Sequence, residues 1–339
     1  MKLGEVINGY QILTEPQGGA QGQWAIGMKF GVPYFIKMFL QPKYPKVDGP
    51  GSPVVVERKR HECTAFEQRN LLLNEAIERR QPGGGNLVVT REIFRSGSTY
   101  YKVTNMVVPA PVQRLVDLHP HQALTALRTV ALSIRVLHRA GFIHGDLKAE
   151  NVVIQESRPG IFVGKLIDFD DGYPSGNPPP PGAVVGDQRF YSPELLSYIK
   201  GRDGVQANDI TTAGDIFAVG LLLHVLLLGE FPTFDRSSYR FACEAALAGA
   251  PIMTPSLTGK LRDLIVSCIA VSPSARPSID EVIEQLVSFS AETITNCILG
   301  GTVAAPAGTP PPVRPPSPPP PPPSGGSQPG LKSTIHKKP

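Results

Sequence analysis

The side chains best suited to chemistry fall within one octapeptide, residues 144–151, HGDLKAEN. Asp146 supplies a carboxylate, Lys148 a cation two residues on, and Asn151 a carboxamide five residues on. Seventeen residues beyond Asn151 a second acid, Asp168, opens the run DFD after the apolar stretch GKLI. Transfer of a phosphoryl group calls for this mixture. An acceptor takes the proton of the incoming hydroxyl, a positive charge meets the migrating phosphoryl, and oxygen ligands hold a divalent ion. A capped turn alone accounts for a single such octapeptide, but two acid-bearing motifs in this order argue for chemistry.

These groups need elements to carry them. Up to about Val108 the chain alternates β-prone runs (WAIGMKF, PYFIKMFL, NLVVTREIF, YYKVTNMVV) with turn residues, interrupted by a polar stretch of helical character over residues 57–80. From His119 onward the pattern changes. Leu124, Leu127, Ala131, Ile134 and Leu137 recur at spacings of three and four, which predicts a half-buried helix ending just before the octapeptide. Further helical runs are expected near 190–200, 212–228, 238–249, 258–270 and 278–290. The pattern therefore predicts an α+β fold in two lobes, with a hinge near Val108, Pro109 and Ala110. Residues 1–108 would form a small antiparallel β lobe with one main helix, and residues 109–295 a larger, mostly α-helical lobe. Residues 300–339 are rich in Pro, Gly and Ser and contain six consecutive prolines, so they cannot build a packed core. That tail reads as an extended or disordered spacer, or as a polyproline docking strip with Arg314 as an orienting charge.

At 339 residues and 41% apolar, the chain can fill a sizeable core. A formal net charge of +4 gives no reason to expect nucleic-acid or membrane-surface binding. Cys63, Cys243, Cys268 and Cys297 lie too far apart for a zinc motif or a disulfide framework, which suits a reducing cytoplasm. The N-terminus lacks the cationic and apolar segments of a secretory signal. Residues 216–228, IFAVGLLLHVLLL, fall short of the roughly 20 residues that a membrane span needs and include His224, so they are expected to form a buried core helix.

With these motifs assembled, the chain resembles the eukaryotic-type (Hanks-type) serine/threonine protein kinases, as a bacterial-like soluble member. HGDLKAEN resembles the catalytic loop HRDLKPEN of that family, and DFD resembles its metal-binding DFG. The resemblance implies a two-lobed protein-kinase-like fold and transfer of the γ-phosphoryl group of Mg-ATP to Ser/Thr hydroxyls of protein substrates. It makes Asp146 the catalytic base, Lys148 the stabiliser of the γ-phosphate, and Asn151 and Asp168 the magnesium ligands. Upstream, QGGAQGQW resembles the glycine-rich loop, with Gly18, Gly19 and Gly22 closing over phosphates, and Lys37 in YFIKMF matches the lysine on the α- and β-phosphates. A carboxylate from the following helix should hold Lys37. Of Glu62, Glu67 and Glu75, Glu67 is the expected partner, because Leu71 four residues on can pack inward. Downstream, GDQRFYSPE (186–194), DIFAVG (215–220) and Arg276, the match to the arginine that pairs with Glu194, resemble the scaffold that protein kinases add to the phosphotransferase core.

Four positions depart from the pattern. Gly145 replaces an arginine that reads phosphate on the activation loop, and residues 168–194 contain no threonine, so catalytic competence is expected without phosphorylation of that loop. Asp170 stands at the glycine of DFG, followed by Asp171, which raises manganese as a second metal candidate. Asp187 stands where a threonine usually helps align Asp146 and Lys148, and a salt bridge to Lys148 is conceivable. Gln17 stands at the first loop glycine. These departures keep open a pseudokinase, a nucleotide-binding scaffold without turnover, while a kinase of small molecules would lack the scaffold motifs. Partners by analogy are protein substrates, a ligand of the Pro-rich tail and an opposing phosphatase.

Overall fold

Side chains on a strand alternate between two faces, and in the first hundred residues both faces of one sheet are covered. The computed structural model describes residues 1–19, 22–46, 52–202 and 204–298; the expectations for 300–339 lie outside them. Strands β1 (Val6–Ile7), β2 (Tyr10–Ile12), β3 (Gln17–Gly19), β4 (Gly22–Lys29) and β5 (Val32–Phe39) are followed by helix α1 (Pro53–Arg80) and strands β6 (Thr90–Ser96) and β7 (Thr99–Asn105). Their order across the sheet is β1-β2-β4-β5-β7-β6, with β3 paired to β4, and neighbours run antiparallel. Ile36 on β5 and Tyr101 and Val103 on β7 join Ile7, Tyr10, Ile12 and Ala25 in a small core. The other face of the same two strands carries Lys37, Phe39, Tyr100 and Lys102.

Helix α1 packs on that other face. Ser52 caps it by accepting a hydrogen bond from the Val55 amide, Pro53 starts it, and Arg79 and Arg80 complement its C-terminal dipole. Its buried stripe, Cys63, Phe66, Asn70, Leu73 and Ile77, follows the spacing of three and four that one helical face demands. Phe66 meets Phe39 edge-on at 4.9 Å between ring centroids and Tyr100 at 5.1 Å.

The rest of the chain is mostly helical. After α2 (Pro120–Arg139) come β8 (Phe142–Ile143), β9 (Val152–Arg158), β10 (Ile161–Leu166), β11 (Tyr173–Pro174), α3 (Pro193–Ile199), α4 (Ala213–Leu228), α5 (Ala242–Leu247), α6 (Gly259–Cys268), α7 (Ile279–Ser288) and α8 (Ala291–Thr295). Leu124, Leu127, Ala131, Ile134 and Leu137 are all buried on α2, as their spacing predicts. Helix α4 is apolar and buried almost throughout, and His224 Nδ1 lies 2.7 Å from the Glu230 carbonyl oxygen. This is the core helix expected over 216–228. Among the described residues no helix is long and apolar enough to cross a membrane. Backbone hydrogen bonds from Val88 to Leu166 (2.9 Å) and from Leu166 to Asn86 (3.1 Å) join the sheet lobe to the helical one, and one from Ala110 to Ile154 (2.8 Å) ties down the chain just past the hinge. The result is the predicted α+β fold, a curled antiparallel sheet with one long helix beside a helical lobe.

Arg276 ties the helical lobe together. It donates to both oxygens of Glu194 (2.7 and 2.8 Å) and to the carbonyls of Ala213, Ala270 and Val271. Both partners are buried. Arg276→Met should therefore cost about 3–5 kcal/mol, because it strands the Glu194 carboxylate. Urea unfolding of Arg276→Met, Glu194→Gln and the double variant checks this, and the double variant should lose less than the sum of the two singles.

Candidate active site

The loop after β8 is held from beneath. Asp215, in the first turn of α4, accepts from the His144 amide at 2.8 Å and lies 3.0 Å from His138 Nε2. Gly145 follows with φ +81°, and a Cβ built there would sit 2.6 Å from the Asp171 carbonyl oxygen. Glycine is demanded twice, by the left-handed backbone and by the neighbouring chain. The arginine common at this position would meet that carbonyl with its first side-chain atom.

Asp146 is buried at the centre of the loop. Its Oδ2 accepts from Lys148 Nζ at 2.5 Å and from Asn151 Nδ2 at 3.2 Å, and its Oδ1 accepts from the Asp187 amide at 2.9 Å. Asn151 Nδ2 also donates to the Asp146 carbonyl at 2.8 Å. One carboxylate is thus oriented by three donors from two segments. Lys37, Lys148, Asp146 and Asp168 line a common cleft of about 810 Å³, walled on its sheet side by Gly18 and Gly22. Gly19 pairs with Gly22 in the β3–β4 turn, whose residues 20 and 21 lie outside the described ones. A Cβ on Gly22 would come within 2.5 Å of the Met38 carbonyl oxygen, so the close pairing of β4 with β5 requires glycine there.

Asp168 follows β10 in the left-handed region, φ +53°, and Phe169 is buried against His144, which it meets edge-on at 6.5 Å. Lys37 Nζ donates to Asp168 Oδ1 at 2.6 Å and to Asp170 Oδ2 at 2.9 Å. Burial opposes the charge of Lys37, yet Asp170 and then Asp168 outweigh it and raise its pKa above the ordinary lysine value. The other Asp170 oxygen accepts from Lys102. Burial likewise opposes the Asp170 charge, and Lys102 and Lys37 together hold its carboxyl well below the usual range. With both oxygens engaged by lysines, Asp170 is no spare metal ligand. Asp168 and Asn151 offer a carboxylate and an amide oxygen, hard donors that suit magnesium or manganese, and the Asn151 amide nitrogen is already committed to Asp146.

Two expectations need correction. Glu67 does not reach Lys37; it is exposed and accepts from the Tyr100 hydroxyl at 2.5 Å. Its position on α1 is one residue past the buried Phe66, off the inward stripe. Asp187 does not bridge to Lys148. It caps the turn that follows it and pairs with Arg189, which also reaches Glu150 at 3.0 Å. Burial works against its charge, but hydrogen bonds from Arg189 keep its carboxyl below the usual range. The residue that sequence reasoning missed is Lys102. It sits in the β-prone run YYKVTNMVV, and its link to the site appears only in the β5–β7 register, where Lys37 and Lys102 are direct partners.

A family model described as protein kinase domain matches residues 55–287. That span holds Asp146, Lys148, Asn151 and Asp168 and leaves out Lys37 and the glycine turn. Similar proteins include a probable serine/threonine-protein kinase of Dictyostelium discoideum, 26% identical over 56% of this chain and 11% of its own length. A calcium and calcium/calmodulin-dependent serine/threonine-protein kinase of Lilium longiflorum is 28% identical over 48% of this chain and 30% of its own. The serine/threonine-protein kinase PkaB of Streptomyces coelicolor is 23% identical over 70% of this chain and 58% of its own. The chain thus spans less than two thirds of each of these relatives.

The contact at Gly145 can be separated from its backbone angle. Gly141 has φ +82° and no neighbour within 4 Å of a built Cβ, so Gly141→Ala should cost only about 1–2 kcal/mol. Gly145→Ala adds displacement of the Asp171 carbonyl and should cost about 2–5 kcal/mol in total. Urea midpoints of the two variants, at unchanged slope, make the comparison.

Proposed function

The chain belongs to the eukaryotic-type (Hanks-type) serine/threonine protein kinase family, and on that premise we propose that it transfers the γ-phosphoryl group of ATP to Ser/Thr hydroxyls of protein substrates. The observation that carries this reading is the setting of Asp146, fixed by three donors in the cleft that also holds Lys37, Lys148 and Asp168.

On this reading Asp146 takes the proton of the attacking hydroxyl, its carboxylate turned by Asn151 and by the amide of Asp187. Lys148 leaves its ion pair with Asp146 to meet charge on the migrating phosphoryl. Lys37 holds the α- and β-phosphates beneath the turn formed by Gly18, Gly19 and Gly22. Asp168 and Asn151 would hold magnesium, or manganese in its place, and such an ion supplies charge neutralisation on the phosphate oxygens. Residues 1–108 and 109–295 are read as the two lobes that close on the nucleotide, and residues 300–339 as a spacer or docking strip. A cytoplasmic setting and an opposing phosphatase belong to the same reading.

A nucleotide-binding scaffold is the competing reading, favoured by the ion pairs that already join Lys37 to Asp168 and Lys148 to Asp146. Incubation with radiolabelled ATP, magnesium and a generic basic protein separates the two. Label should reach serine and threonine, and Asp146→Ala should lower the rate by about 10³-fold or more. ATP binding without transfer would establish the scaffold instead. Phosphatase pretreatment should leave the rate nearly unchanged, since no arginine stands at position 145 to read a loop phosphate.

A further inference from the structure

Helix α1 carries five glutamates, at positions 57, 62, 67, 75 and 78, and all five are exposed. No carboxylate stands on its buried stripe. Lys37 nevertheless has a buried acid partner, supplied by the segment that follows Asp168. Lys37, Asp170 and Lys102 are only 9%, 7% and 3% exposed. The two lysines face each other directly across β5 and β7, where like charges repel, and Asp170 bridges them with one oxygen to each. Two cations thus share the one carboxylate of Asp170, and Lys37 has Asp168 besides. Asp168 is the second acid on Lys37, but its carboxylate is the one a metal ion would claim. Asp170, with no such duty, is the partner that stays.

We propose that Asp170 is the positioning residue for Lys37, itself held by Lys102, so that the metal-binding segment rather than helix α1 sets where the phosphate-facing ammonium lies. This rests on the kinase reading above.

The test uses the full chain with Asp170→Asn, Lys102→Met, their double variant and Glu67→Gln. Three quantities are read: kcat with the KM for ATP, the melting temperature, and the rate at which acetic anhydride acetylates Lys37 without nucleotide, by mass spectrometry. Asp170→Asn should lower kcat about 100-fold and speed acetylation of Lys37, which loses a charged partner. Glu67→Gln should change kcat, KM and the acetylation rate by about twofold at most and leave the melting temperature nearly unchanged. In the double variant no buried charge is stranded, so the melting temperature should rise above that of either single while kcat stays low. Recovery of kcat in step with melting would reduce Asp170 to a structural counter-ion and overturn the proposal. So would Asp170→Asn acetylated at the parent rate, or the larger loss in Glu67→Gln. A parent protein that transfers no phosphoryl would sink the kinase reading alone, and the acetylation comparison would still decide this one.

Discussion

A lysine ammonium keeps its charge in a protein interior only where a carboxylate reaches it, and this cleft is arranged around that requirement. Lys37 and Lys102 project from the same face of adjacent strands into a space bordered by Phe39 and Phe169. Asp170 and Asp168 answer both cations from one short turn. The sheet lobe and the helical lobe therefore meet through charge as well as through the backbone hydrogen bonds at Leu166. Neither lobe completes this arrangement alone.

A second constraint acts below the cleft. Asp215 at the start of a deeply buried helix fixes the backbone at His144, and the Asp146 carboxylate, two residues further on, is oriented by Asn151 and by the amide of Asp187. The Glu194–Arg276 pair lies behind the segment that carries Asp187 and anchors its far end to the last helices. Each layer fixes the one above it, so orientation at Asp146 begins in apolar packing around α4.

Much of the site was legible because its groups are close in sequence. Asp146, Lys148 and Asn151 share one loop, and the spacing to Asp168 spans only the β9–β10 hairpin, so their meeting follows from chain order. The α2 periodicity and the apolar run of α4 read directly as buried helices. Glu67 illustrates the limit. Its type and rough distance from Lys37 suit an ion pair, but the rotation of α1 against the sheet is set by Cys63, Phe66, Leu73 and Ile77, whose spacing places the glutamates outside. Lys102 was hidden for a related reason. A lysine in a strand gives no sign of a buried acid until the register of two strands and the course of a distant turn are known.

The tight passage of the chain past Gly145 bears on how the cleft can open. With the Asp171 carbonyl lying against that glycine, and with Asp170 pinned to two lysines, the segment bearing Asp168 has little space for an excursion of its own. Asp146 and the turn that bears Asp168 therefore share one rigid floor. Any widening of the cleft then falls to its opposite wall, strands β4 and β5.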